Sequence, residues 1–378
     1  MSGDLLEARH LQLAADLRRA CASLEPVPGA GEDFRQLAAR LAQMDCFRHL
    51  VPLAYGGRQE RVEVGALCAI REELGYRNAA ADSIFAVQGL GSHPVLMAGD
   101  ELQRRSLLPQ VAEGSAIFAF ALTEPDAGSD VAAISSTASR NGDHYLLNGA
   151  KRFISNAGIA SHYTVFARTD EGRDGLSAFV VPSDSPGLRI SSLEMLAEHS
   201  IGDLALENCR VPASSRIGSE GDGMRLALST LDVFRSTVGA AAVGMARRAL
   251  DEAVAYAKRR HQFGAPIALL QGVQFLLAES ATEIDAARLL VQRAAAKKDG
   301  GAARIGYEAA TAKLFATEAA QRAIDRCLQI HGGNGLVKGA VTERLYRDIR
   351  ALRIYEGASE VLKVVIARSL LGSIARNE

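Results

Sequence analysis

The sequence predicts a mostly α protein with a central β domain, and three observations carry that prediction. Hydrophobic residues make up 48% of the chain while aromatics reach only 5% and Trp is absent, so the core must be built from aliphatic side chains. Long Ala/Leu/Arg/Glu tracts with three- and four-residue apolar spacing fit helices. Near Ile117 the texture changes to short alternating runs between turn residues, and after Val211-Pro212 it changes back. These shifts divide the 378 residues into an N-terminal helical segment over 1–116, a middle β segment over 117–213 and a C-terminal helical segment over 214–378.

In the first segment Leu5, Leu6, Leu13 and Leu17 form one apolar helical face, and Pro26-Val27-Pro28-Gly29 closes that helix. Residues 51–57 (Val-Pro-Leu-Ala-Tyr-Gly-Gly) read as a turn-rich crossing. Gly89-Leu90-Gly91-Ser92-His93-Pro94 reads as a further break, with His93 a packed loop residue, before a helix starting near Asp100. The β segment is expected to be antiparallel. Its clearest piece is a hairpin in which His144–Leu147 and Lys151–Ile154 flank Asn148-Gly149, since both turn residues tolerate positive φ. Further strands are expected at 163–167, 176–181, 188–191 and 204–207. Long helices are expected at about 224–260, 270–299, 302–330 and 360–371, which suggests a bundle. In the third, Ala320, Ile324, Cys327, Leu328 and His331 share one face, and Gly332-Gly333-Asn334-Gly335 stops it.

Net charge of −1 argues against a nucleic-acid or membrane-surface binder. Cys21, Cys46, Cys68, Cys209 and Cys327 are scattered and odd in number, so they read as buried thiols and not as disulfides or a zinc site. The polar N-terminus does not read as a secretory signal, and no uninterrupted apolar run looks long enough to cross a membrane. A cytoplasmic enzyme is the expectation. Gly-x-Gly-x-x-Gly, Walker A, His-Glu-x-x-His and Gly-x-Ser-x-Gly patterns are all missing, which excludes the common nucleotide, zinc and serine-hydrolase frameworks.

Two stretches offer chemistry. Leu122-Thr123-Glu124-Pro125-Asp126-Ala127-Gly128-Ser129-Asp130 can present hydroxyls and backbone N–H groups to a polar planar ligand, or serve only as a capped turn. Arg353-Ile354-Tyr355-Glu356-Gly357-Ala358-Ser359 sets one carboxylate between an apolar-aromatic pair and a glycine. Ile354 and Tyr355 would strip water from Glu356 and raise its pKa into a general base's range, with Ser359 capping the last helix; alternatively Glu356 is just the last polar residue before that helix.

Residues 122–130, Asn148-Gly149-Ala150-Lys151-Arg152-Phe153-Ile154-Ser155-Asn156, Arg259-Arg260-His261-Gln262-Phe263-Gly264, Gln329-Ile330-His331-Gly332-Gly333-Asn334-Gly335 and Ile354-Tyr355-Glu356-Gly357 together resemble the ordered motifs of the acyl-CoA dehydrogenases. The resemblance covers almost the whole chain. It implies an N-terminal helical domain, a middle β-barrel domain and a C-terminal four-helix bundle, with FAD held non-covalently and four copies assembled as a dimer of dimers. It implies dehydrogenation of an acyl thioester, on coenzyme A or an acyl-carrier protein, to the trans-2-enoyl product, with electrons passed to an electron-transfer flavoprotein. Glu356 resembles the α-proton base, and its own N–H would hydrogen-bond the thioester oxygen.

By the same resemblance Thr123 bonds the flavin pyrimidine edge, Ser155 lies beside N5, and Phe120, Leu122 and Phe153 complete that face. Ser129 resembles a residue serving FAD phosphate or the pantetheine arm. Arg260, Gln262 and Phe263 resemble an arm reaching a neighbouring subunit's FAD, joined by Gln271, Gln329 and Gly333. Phe234 matches the position from which some subfamilies draw the base, and with Arg235, Tyr355 and Gly357 it is expected to line the substrate. Phe153 stands where Trp is frequent, Ala358 where Thr is frequent, and residues 193–200 diverge. A same-fold flavin oxidase or monooxygenase is the nearest rival, and a non-catalytic helical scaffold the rival of another class.

Overall fold

The computed structural model describes residues 6–26, 31, 33–172 and 175–372. Leu5, Val27, Pro28 and Gly29 lie outside the described residues. The chain groups into two compact units: Met1–Gly31, Val64–Asp82 and Arg235–Glu378 form one, and Glu32–Glu63 with Ser83–Phe234 the other.

The first unit is helical. It holds α1 (Ala8–Ala20), α3 (Val64–Arg77), α7 (Gln271–Asp299), α8 (Gly306–His331), α9 (Val341–Leu352) and α10 (Ser359–Leu371), with the C-terminal part of α6 (Gly223–Arg259). α3 packs on α1 and α7, and α8 on α7, α9 and α10. The seams are alanine-rich: Ala240, Ala241 and Ala242 on α6 and Ala309, Ala310, Ala312 and Ala316 on α8 are buried, so backbones approach closely. α9 was not foreseen. Its Arg/Glu-rich sequence hides a strong apolar stripe, with Leu345, Ile349 and Leu352 buried. Ser359 does not cap α10; the cap position is Ala358, and the Ser359 hydroxyl donates to Glu318 Oε1 at 2.6 Å.

The second unit combines α2 (Phe34–Gln43), most of α4 (Ala79–Ala98), α5 (Glu101–Glu113) and one sheet. The break expected at 89–94 is absent, and α4 runs through it with Pro94 inside. The glycines there serve close packing: a Cβ on Gly91 would lie 2.8 Å from the Ala119 carbonyl oxygen, and one on Gly89 2.4 Å from the Phe234 ring. Tertiary contact thus overrides the local breaker signal. Asp100 begins α5 with a full capping box to Gln103.

The strands are β1 (Phe118–Ala121), β2 (Thr137–Asn141), β3 (His144–Ser155), β4 (His162–Arg168), β5 (Leu176–Pro182), β6 (Leu188–Ser192), β7 (Ile201–Pro212) and β8 (Arg216–Ile217). Their order is β6-β7-β3-β2-β4-β5-β8, with β1 added in parallel to β4. The sheet is therefore mixed and not purely antiparallel. The expected hairpin at Asn148-Gly149 is a single long strand carrying a β-bulge there. Gly149 takes φ 141°, and a Cβ would meet the Ser136 hydroxyl at 2.3 Å. The turn lies instead at Gly142, φ 64°, after Asn141, between β2 and β3. Asn-Gly occurs twice within nine residues, and only the first is a turn.

α6 is long and apolar enough to cross a membrane by composition, but 72% of that window is buried inside the protein, as in a core helix. All five cysteines are free and buried, as expected.

Candidate active site

Glu356 sits in the turn between α9 and α10 with φ 51°, a left-handed conformation that costs a non-glycine residue about 1–3 kcal/mol and persists only where surroundings impose it. Two cations impose it. Arg235 Nε donates to the Glu356 carbonyl at 3.0 Å, and Lys313 Nζ donates to the Gly357 carbonyl at 2.6 Å. Gly357 follows with φ 104°, so the bend is held at both of its carbonyls.

The Glu356 side chain is 7% exposed, and its Oε2 has no hydrogen-bond partner among the described residues. Its Oε1 lies 4.0 Å from Arg71 Nη1. Among the described residues the Glu356 N–H bonds no backbone carbonyl. Burial is the largest influence on Glu356 and raises its pKa, opposed by the charges of Arg71, Lys313 and Arg235. The desolvation does not come from Ile354, which is 58% exposed. The three cations that oppose it stand on helices distant in sequence, α3, α6 and α8. Burial likewise lowers Lys313 to about 8.

Arg71, on α3, is itself buried. Its Nε and Nη2 bond the two oxygens of Asp82 at 2.8 Å each, and its Nη1 bonds the Thr237 hydroxyl at 2.9 Å. Tyr355 keeps 37% of its surface exposed while its hydroxyl is buried toward Arg71 and Asp82, and burial raises its pKa. Sequence reasoning missed Arg71, Asp82, Lys313 and Thr237. The available signal was positional: Arg71 lies four residues after Leu67 and three before Leu74, a charge on an apolar helical stripe.

In the other unit the 122–130 stretch is tied to β3. Glu124 Oε1 accepts from Lys151 Nζ at 2.7 Å and Ser136 N at 3.0 Å, while Oε2 accepts from Ser135 N at 2.7 Å and the Ser135 hydroxyl at 2.9 Å. Lys151 also reaches the Leu122 carbonyl at 3.3 Å, and Arg152 N donates to the Thr123 carbonyl at 2.9 Å. Burial raises Glu124, but Lys151 and the serine donors outweigh it and bring it to about 2. Burial brings Lys151 to about 8. The two shifts differ in cause, and together they describe a pair that stays ionised near neutrality.

The residues expected at a flavin fall into two sets. Phe120, Leu122, Thr123, Ser129, Phe153 and Ser155 belong to the sheet unit, and Arg260, Gln262, Phe263, Gln271, Gln329 and Gly333 to the helical unit. Phe120 packs edge-on to Phe166 and Leu122 is 8% exposed, so both are largely core. Thr123 and Ser155 are half-buried and Ser129 is exposed. Phe153 is 48% exposed at φ 57° and Phe263 93% exposed at φ 50°, so two strained backbone positions each hold an aromatic ring out to solvent. Arg260, Gln262, Gln271, Gln329 and Gly333 are exposed. Phe234 is 1% exposed, its ring filling the space over Gly89 and edge-on to His93 at 5.6 Å. His93 is thus a helix residue and not a loop one. His331 stacks on Tyr256 at 4.5 Å.

Three family models match, those of the acyl-CoA dehydrogenase N-terminal domain over residues 10–115, the middle domain over 119–209 and the C-terminal domain over 221–371. The chain is 42% identical to an acyl-CoA dehydrogenase of Bacillus subtilis over 328 residues, 85% of this chain and 86% of that one. It is similar in structure to butyryl-CoA dehydrogenase from Megasphaera elsdenii, at TM-score 0.90 and 33% identity over 96% of this chain and 97% of that one. It is also similar to a prolyl acyl carrier protein oxidase, at TM-score 0.89 and 29% identity over 97% and 100%. With all three domain models matched in order, and a buried glutamate poised in the last of them, the chain belongs to the acyl-CoA dehydrogenase family of oxidoreductases.

Proposed function

We propose that this protein is an FAD-dependent α,β-dehydrogenase of an acyl-CoA thioester in which Glu356 removes the α proton. The observation that carries the proposal is the orphaned Glu356 Oε2: a buried carboxylate oxygen without a donor is costly in a merely structural role and is what proton abstraction needs. Arg235 and Lys313 fix its backbone, so the carboxylate is oriented before substrate arrives. The unengaged Glu356 N–H is a donor for the thioester oxygen, on which charge develops as the proton leaves.

The residues of each unit fit FAD by themselves: in the sheet unit Thr123 and Ser155 offer hydroxyls for a flavin ring's polar edge, beside a half-exposed Phe153 ring that the Arg152 guanidinium covers at 4.9 Å, and in the helical unit Arg260 offers a fork of donors for phosphate and Phe263 an exposed ring. When bound, the flavin supplies the acceptor for the β hydride. Phe263, Arg260 and Gln262, exposed on this chain, fit contact with a second copy, so the working form is proposed to be a homotetramer. An electron-transfer flavoprotein is the proposed acceptor and the cytoplasm the proposed location.

Anaerobic mixing of the flavin-loaded protein with acyl-CoA thioesters of graded length and branching should bleach the flavin with at least one of them. No bleaching by any would overturn the proposal. The similarity to a prolyl acyl carrier protein oxidase favours one second reading, an oxidase acting on a carrier-protein thioester. Reoxidation of reduced, product-bound protein in air as fast as turnover, with stoichiometric peroxide, would favour that reading.

A further inference from the structure

Glu356 has a neighbour that its motif does not include. Arg71 and Asp82 are each 1% exposed and joined by a two-pronged ion pair, an arrangement that is expensive to bury and often no better for stability than apolar residues of the same volume. Two of the three guanidinium nitrogens are committed to Asp82. The third, Nη1, is held by Thr237 and is the nitrogen 4.0 Å from Glu356 Oε1.

We propose that Arg71 and Asp82 are positioning residues for the base: Asp82 and Thr237 lock the guanidinium so that a fixed, partly neutralised positive charge faces Glu356 and sets its charge state before substrate binds. The inference rests on Glu356 being the base. The charged and titratable groups facing Glu356 are Arg71 from α3, Asp82 from α4, Arg235 from α6, Lys313 from α8 and Tyr355 from its own turn. Arg235 Nε and Lys313 Nζ hold the turn's backbone carbonyls while their charges also reach Glu356, whereas Arg71 Nη1 lies 4.0 Å from the carboxylate itself. Asp82 acts in opposition. A bare guanidinium would lower the proton affinity of Glu356 further, and an apolar residue in its place would raise it; the pair lies between these limits.

The two members should therefore move the base in opposite directions. The measurement is the protonated-carboxyl stretch of Glu356 in the flavin-loaded protein, isolated as the infrared difference from Glu356→Gln and followed against pH without substrate. Arg71→Met should raise the midpoint by about one pH unit or more, roughly a tenfold gain in proton affinity. Asp82→Asn should lower it, and the pH profile of flavin bleaching should shift the same way in each. Shifts of the same sign, or none in variants that retain FAD and native circular dichroism, would overturn the proposal. If Arg71→Met does not fold, Asp82→Asn decides alone, and an unchanged or raised midpoint overturns it. Bleaching that survives in Glu356→Gln would instead remove the assigned base, a failure separable from this one because the infrared midpoint is read without turnover.

Discussion

Glu124 and Glu356 are both buried carboxylates with a buried cation nearby, and they differ in what is left unsatisfied. Around Glu124 each oxygen accepts two hydrogen bonds, Lys151 contributes a direct contact at 2.7 Å, and the group falls to about 2. Around Glu356 one oxygen has no donor, the nearest cation stands off at 4.0 Å, and the pKa rises. Burial alone therefore does not raise a carboxylate's pKa. Saturation by donors turns a carboxylate into a fixed anchor for the 122–136 loop, and withholding donors leaves a group whose proton affinity is available for chemistry.

The largest expected effect lies at the unsaturated member. Glu356→Gln keeps shape and burial but removes the basic oxygen, and should slow flavin bleaching by at least about 10²–10⁴-fold with FAD content unchanged. Stopped-flow bleaching with the best thioester checks it, and a loss under tenfold would erase the contrast. At the saturated member the expected loss is in stability. Lys151→Met leaves Glu124 charged and uncompensated, and should cost about 3–5 kcal/mol by denaturant unfolding. A third change attacks the same anchor from its backbone side. Ser136 N is one of the donors to Glu124, and Gly149→Ala would drive a Cβ to within 2.3 Å of the Ser136 hydroxyl at a backbone φ of 141°. A loss of about 1–3 kcal/mol is expected, again in stability and not in the pH response of Glu356.

Only the Glu356 half of this contrast was legible in the sequence, and the limits are physical. Glu356 was found because its tripeptide is local and its motif companions stand in order along the chain. Its environment was not, because the charges that face it arrive from α3, α6 and α8, far along the chain, while Ile354, expected to shield it, is 58% exposed. The helix-strand-helix plan followed from periodicity, which needs only neighbours. The errors came where a local signal had two outcomes: Gly89 to Pro94 suggested a break but serves as a packing surface within α4, and Asn148-Gly149 suggested a turn but is a bulge, since the choice rests on what approaches the glycine. Arg71 and Asp82 were hidden in apolar stripes whose very regularity drew attention to the hydrophobic positions.

The smallest expected effect separates the two carboxylates by pH. Glu124 titrates near 2 when folded and near its ordinary 4.5 when unfolded, so between these values the unfolded chain binds more protons; the anchor's contribution is present above 4.5 and is lost as pH falls toward 2. Glu356 has the opposite sign. Its folded pKa is raised, so above 4.5 the unfolded chain gives up the proton first, and stability falls as pH rises until the folded pKa is passed. Every unit of that separation corresponds to about 1.4 kcal/mol. Glu356→Gln removes only this alkaline loss. Its unfolding midpoint in urea should match wild type below pH 4.5 and pull ahead of it as pH rises, whereas Glu124→Gln should be less stable than wild type at neutral pH and approach it as pH falls toward 2. Should Glu356→Gln instead be less stable at every pH, the carboxylate would be an anchor like Glu124, and the division between the two sites would collapse.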